Sequence, residues 1–280
     1  MTELYTPASI IALFVIFPLI ALVVLGLRFH VRLNLQKPRE LGIDDWMVLV
    51  GTILTVSLNI NGLVSTIDGG LGRHTQLTPE GKPIPTPRLR VTQHTVYPQD
   101  IIEKVAYGLV KLSILFFYRR IFRVESFRRI NSIIIAIVGL WAIVFFFVTI
   151  FECGVHPAVQ WTASKEVQDA TCVNTARLLL CFAITDIITD FFVLVLPIRQ
   201  VWRLQMSLKN KYAVSFIFAL GGLSTAAGIV RLGLVVRASN ADYGASSDTL
   251  GQLTPPFVWT NLEVTIGVIA ASLPTLGPLR

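Results

Sequence analysis

Apolar residues gather into seven long runs separated by shorter polar stretches, near 8–27, 45–66, 101–121, 131–151, 175–198, 212–236 and 255–276. Each run approaches the roughly 20 residues that a helix, rising about 1.5 Å per residue, needs to cross a hydrocarbon layer about 30 Å thick. None shows the alternation of a barrel strand, which is about ten residues long with every second side chain polar. A helix also satisfies its own backbone N–H and C=O groups, which an open strand in lipid does not. The pattern predicts an all-α membrane protein, one domain over 1–280 folded as a seven-transmembrane helix bundle. The localisation that follows is multi-pass, in the plasma membrane or an endomembrane.

Composition agrees, with 53% hydrophobic and 15% charged residues against about 25% charged in an ordinary soluble domain. The loops carry the orientation. Arg28, Arg32, Lys37, Arg39, the Arg119 to Arg129 group, Arg199, Arg203, Lys209, Lys211 and Arg280 fall on one side, and half as many basic residues fall on the other. Basic loops stay in the cytoplasm, so the N-terminus is expected outside and the C-terminus inside. The net charge of +7 is dispersed over these span ends, which reads as topology and contact with membrane lipids and not as a nucleic-acid surface. The leader MTELYTP carries Glu3 and no basic residue, so the first run is expected to be an uncleaved helix.

The outer loops add three features. Cys153 and Cys172 bracket a loop expected in an oxidising space, where they form a disulfide or stay as two free thiols. Cys181, inside a span, is expected to pack as a small apolar residue. The first outer loop, about 67–99, is long and proline-rich, fit either for facing a ligand or for simple flexibility. His74, His94 and His156 show no tight ligand spacing, so no metal site is expected from them. Trp46, Trp141, Trp202 and Trp259 fall near span ends, where interfacial indoles belong.

Phosphate-loop, dinucleotide, zinc-protease and serine-hydrolase signatures are absent. The chemistry lies in charges inside the spans, since each costs a few kcal/mol at the bilayer centre. These are Glu103, Lys104, Lys111, Asp186, Asp190, Arg231 and Glu263, three cations against four anions. Counted from the outer ends of their spans, Lys111 and Asp186 lie at matching depth, and Arg231 and Glu263 both lie in the outer half. Two contacts are therefore expected, Lys111 with Asp186 and Arg231 with Glu263, while Asp190 has no obvious cation. Such pairs either fix helix register or line a site. In the sixth run Gly221, Gly222, Ser224, Ala226 and Gly228 predict close helix packing.

IDDWMVLVG, GLGRH, KLSILFFYRRIF, PIRQVWRLQMSLKNK, GIVRL and NLEVTIGVIAASLPTLGPL, in that order over essentially the whole chain, resemble the fungal rhodopsin-like domain family. These are seven-span membrane proteins that include a member of the satratoxin cluster. By that resemblance Asp44, Asp45, Trp46, Gly72, His74, Lys111, Cys153, Cys172, Arg231, Glu263 and Pro274 stand on motif positions. Ser272 and Gly277 depart from a cysteine and a basic residue in many relatives. A retinal Schiff base needs a lysine amine, conventionally in the seventh span, and none stands there, so no cofactor is expected.

The resemblance implies a receptor-like architecture, sensing a small extracellular or membrane-borne ligand at an intramembrane polar cluster of Tyr107, Lys111, Asp186, Asp190, Arg231 and Glu263. The basic inner loops could meet a cytosolic partner. The alternative is a membrane-embedded enzyme or transporter of a fungal secondary-metabolite pathway, with Asp190, if unpaired, as a candidate acid.

Overall fold

A computed structural model describes residues 5–35, 41–76, 78, 84, 86–122, 124–162, 167, 170–203, 208–240 and 248–275. Among them the secondary structure is helical throughout. The order is α1 (Pro7–His30), a π-helical turn (Val31–Leu35), α2 (Ile43–Ile67), α3 (Pro87–Ile121), α4 (Glu125–Ile150), a short α5 (Val159–Thr162), α6 (Thr175–Arg203), α7 (Leu208–Asn240) and α8 (Thr249–Ser272).

Local chemistry sets the starts. Thr6 caps α1 by accepting the N–H of Ser9, and Pro7 occupies the first turn, where its missing N–H costs nothing. Thr86 and Pro87 repeat the device on α3. α3 consequently begins well before the expected 101, and the second half of the expected loop 67–99 is its N-terminal extension, with Pro98 inside the helix. Among the described residues five helices are long and apolar enough to cross a membrane: Pro7–Leu35, Ile43–Ile67, Glu125–Ile150, Thr175–Ile198 and Thr249–Thr275. α3 and α7 are longer still, at 35 and 33 residues.

Packing explains why α3 carries so many polar groups. It contacts α2, α4, α6 and α8, so its faces meet protein, where a charge can find a partner. α8 is enclosed in the same way, lying against α1, α2, α3 and α7, and 61% of its most apolar stretch is buried, against 17% for α4. The outward faces form an apolar belt that includes Leu19, Val23, Ile60, Ile133, Leu140 and Phe191, a surface suited to lipid. Cys181 is also exposed on the outside of the bundle and does not pack in the core as expected. Small residues set close approaches. A Cβ on Gly108 would stand 2.5 Å from that of Ala142, which holds α3 tight on α4. Of the expected stripe on α7, Gly221 faces Leu194 and Gly228 faces Glu263, whereas Gly222 is exposed and has no neighbour within 4 Å.

The Cys153–Cys172 disulfide is formed. It ties the end of α4 to the start of α6, beside a backbone bond from Val173 N–H to the carbonyl of Glu152 at 2.8 Å. At the same end of the bundle Gly72, with φ of 79°, makes the turn that brings GLGRH onto α8. There the Gly72 N–H donates to Thr254 Oγ1 at 3.0 Å, the Thr75 N–H donates to Asp248 Oδ1 at 2.6 Å, and His74 Nδ1 pairs with Asp248 Oδ2. Asp248 also caps α8 through the Gly251 N–H.

Candidate functional site

The intramembrane charges converge where α3, α6, α7 and α8 meet. Lys111 Nζ stands 2.7 Å from Asp186 Oδ1, 2.9 Å from Asp190 Oδ1 and 2.7 Å from Thr189 Oγ1. Asp190 is therefore not the unpaired acid the sequence suggested. Asp186 and Asp190 lie four residues apart on one helix face, and an ammonium has three donors, enough for both. Arg231 donates from Nε to Glu263 Oε2 at 2.8 Å and from Nη2 to Asp186 Oδ2 at 2.7 Å. The Tyr107 hydroxyl donates to the same Glu263 oxygen at 2.8 Å. Both expected contacts are present, joined through Asp186 into one network.

All members except Asp190 are buried, Asp186 completely and Glu263 to 1% exposure, whereas Asp190 is partly buried with 14% side-chain exposure. Aromatic faces close one side. Trp141 stacks on Phe182 at 5.2 Å between centroids, Lys111 Nζ lies 4.9 Å from the Trp141 ring centre, and Arg231 lies 5.3 Å from those of Tyr107 and Phe182. Trp141 is thus a wall of the site, its indole N–H donating to Thr185 Oγ1, and not an interfacial anchor. Trp46 is 56% exposed, Trp259 donates to the Tyr5 hydroxyl, and the Trp202 side chain lies outside those described. Glu103 pairs with its neighbour Lys104, whose ammonium sits 4.0 Å over the Phe182 ring.

Beside the network lies a cavity of about 50 Å³, whose polar lining comes from Tyr107, Lys111, Asp190, Glu263, Ser224 and Thr225. It has room for a few waters or a small ion and is far below the roughly 300 Å³ of a site for a drug-sized ligand. One oxygen each from Asp186, Asp190 and Glu263 lie within 4.8 Å of one another, the set among the described residues that could hold a metal ion. A smaller pocket lies outward along α3, lined by Asp100, Lys104, Thr149, Glu152 and Thr175. Burial raises the Glu152 carboxyl, and the opposing hydrogen bond from Thr175 does not offset it.

A second ionic layer occupies the opposite end of α2, and sequence reasoning did not pair its members. Arg28 is completely buried and donates to Asp45 Oδ1 at 2.8 Å, Asp44 Oδ2 at 2.7 Å and the carbonyl of Ala271 at 2.7 Å. Arg32 reaches the same two carboxylates, and Arg120 approaches them at 3.6 Å and 3.7 Å. Arg28 and Arg32 are therefore interior partners of IDDW and not headgroup contacts. The signal was available: two acids opening one span opposite two arginines closing the preceding one. Lys37, Arg39, Lys82, Arg123, Lys165, Gly277 and Arg280 lie outside the described residues.

Comparison with known proteins matches the fungal rhodopsin domain over residues 27–280. A SAT4 family membrane protein of Emericella nidulans is 31% identical over 201 residues, covering 66% of this chain and 48% of its own length. Wortmanamides biosynthesis cluster protein C of Talaromyces wortmannii is 27% identical, covering 92% of this chain and 67% of its own. Receptor GIN3 of Arthrobotrys oligospora is 25% identical, covering 96% and 62%. The chain spans about half the length of the Emericella relative. No solved structure matches.

Proposed function

Because the chain belongs to the fungal rhodopsin domain family, we propose that it is a seven-span, receptor-like membrane protein, N-terminus outside and C-terminus cytoplasmic, that senses a small molecule at the Lys111 network. α3 and α7 complete the seven spans, and the basic residues supply the orientation. The observation that carries this reading is the network itself: Lys111, Asp186, Asp190, Arg231, Glu263 and Tyr107 link four helices through buried ion pairs next to a cavity. A ligand that enters must reorganise those pairs and widen the cavity, and differential contact with two helix arrangements is what a sensor requires. A relative named as a receptor agrees. The basic inner loops would meet the cytosolic partner.

A second reading, an enzyme of a secondary-metabolite pathway, is favoured by one observation. Glu263 Oε1 is buried with no hydrogen-bond partner among the described residues, which makes Glu263, in place of Asp190, the carboxyl group best placed to give up a proton. Several relatives carry biosynthesis-cluster names.

Small amphipathic compounds are to be screened for thermal stabilisation of the full chain in lipid nanodiscs, with their chemical fate followed. The sensor reading expects an unconverted binder whose stabilisation is lost in Asp190→Asn and Glu263→Gln. Conversion that stops in Glu263→Gln while binding persists would establish the enzyme instead.

A further inference from the structure

The network is one positive charge short. Among the described residues Asp186, Asp190 and Glu263 meet only Lys111 and Arg231, and Glu103 and Lys104 neutralise each other. All five are nearly or fully removed from water, where an uncompensated charge costs several kcal/mol. The shortfall has a location. Glu263 Oε2 takes both Arg231 Nε and the Tyr107 hydroxyl, while Glu263 Oε1 is buried with no hydrogen-bond partner among the described residues. Glu263 and Asp190 both line the cavity, with the hydroxyl-bearing Ser224 and Thr225.

We infer that this cavity binds one monovalent cation of the size of Na⁺, held between Glu263 and Asp190. The ligands are all hard oxygens, which suit an alkali or alkaline-earth ion and not a soft metal. A cation the size of Ca²⁺, which Na⁺ closely matches, holds its oxygens at about 2.3–2.6 Å, so opposite ligands stand about 5 Å apart. The three carboxylates fit that span, with one oxygen of each within 4.8 Å of the others. Charge decides the valence. A monovalent ion brings the cluster to zero, whereas a divalent one would leave it positive beside Lys111 and Arg231. Volume permits the ion and a few waters, since about 50 Å³ holds roughly three to five probe spheres of 10–15 Å³. Gly228 keeps the site open, because a Cβ there would stand 2.7 Å from Glu263 Oε1.

This inference stands whether or not the sensor reading holds, and it competes with the enzyme reading, which needs a proton on Glu263 where the ion would sit. It is tested by thermal unfolding of the full chain in nanodiscs at pH 7.5, titrating NaCl against choline chloride at constant ionic strength. Na⁺ is expected to give a saturable rise in Tm of about 2–4 °C when it stands about five-fold above its Kd, with no rise in choline. Glu263→Gln removes the charge that binds the ion but keeps the shape, and is expected to abolish the increment. Gly228→Ala leaves every charge in place and is expected to weaken Na⁺ at least ten-fold by crowding Oε1. Where either variant fails to fold, ²²Na⁺ binding to the native chain at one ion per protein is the supporting result. Equal Tm in the two salts overturns the inference. A Tm in choline that climbs on acidification to the sodium value supports it, because a proton on Glu263 then supplies the same missing charge. Glu263, Asp186, Asp190, Glu103, Lys111, Arg231 and Tyr107 are the groups such a proton would face.

Discussion

Lys111 illustrates what a single residue does in a bundle surrounded by lipid. Its ammonium serves Asp186 and Asp190 together, so Lys111→Met leaves Asp190 with no cation and Asp186 with Arg231 alone. Breaking a buried pair from one side costs about 3–5 kcal/mol. Adding Asp190→Asn removes the stranded charge, so the double variant is expected to be more stable than Lys111→Met alone, with a coupling of about 0.5–3 kcal/mol in denaturation in detergent. Strict additivity would show that Lys111 and Asp190 do not interact. The first contact was legible because helix rise is constant and depth can be counted along a span. The second was not, because counting assigns one partner per charge and a lysine has three donors. Arg28 was misread for a related reason. Position along the chain puts an arginine at a span end but does not say whether it turns out to headgroups or inward to Asp44 and Asp45.

At the scale of elements, the outer turn after α2 is fastened to the start of α8 by reciprocal bonds. Asp248 accepts from Thr75 and Gly251, and Leu250 N–H donates back to Thr75 Oγ1 at 2.9 Å. Partial burial pushes the Asp248 carboxyl up, but the Thr75 N–H, the His74 side chain and the Gly251 N–H together hold it below its usual value. A carboxyl with a lowered folded pKa stabilises the fold above its unfolded pKa of about 3.9, and that contribution is lost as pH falls. Asp248→Asn keeps a good cap and is expected to flatten this acid limb, whereas Asp248→Ala also loses the cap, about 1 kcal/mol. Thermal unfolding of the three proteins between pH 3 and 7 checks this, and an unchanged acid limb in Asp248→Asn would rule it out. GLGRH was legible as a motif but its partner was not, because Asp248 lies 174 residues beyond His74. The disulfide closes a loop of 19 residues, so Cys153→Ser with Cys172→Ser is expected to cost about 3 kcal/mol by the chain-entropy account.

For the whole molecule, the two ionic layers and the disulfide together make orientation a single binary question. Tyr5, Gly72, His74 and Asp248 meet at one end. The same end includes Thr92, which accepts from Gly70 N–H, and Tyr97, whose hydroxyl donates to the carbonyl of Ile150 just before the disulfide loop. The other end gathers Arg28, Arg32, Asp44, Asp45, Arg120 and the carbonyl of Ala271. A disulfide persists in an oxidising space, which supports the proposed placing of its end, and of Tyr5 with it, away from the cytosol. That argument uses no lysine or arginine, yet it reaches the same orientation as the basic loops. An epitope ahead of Thr6 is therefore expected to be accessible to antibody or protease on intact cells or sealed right-side-out vesicles. One placed after Thr275 is expected to be reached only after permeabilisation, since the seven crossings proposed would put the two ends on opposite faces. Equal access to both ends would break the seven-span reading, and inverted access would break the orientation. Either result would leave the ion network intact and move its cavity to a different membrane face.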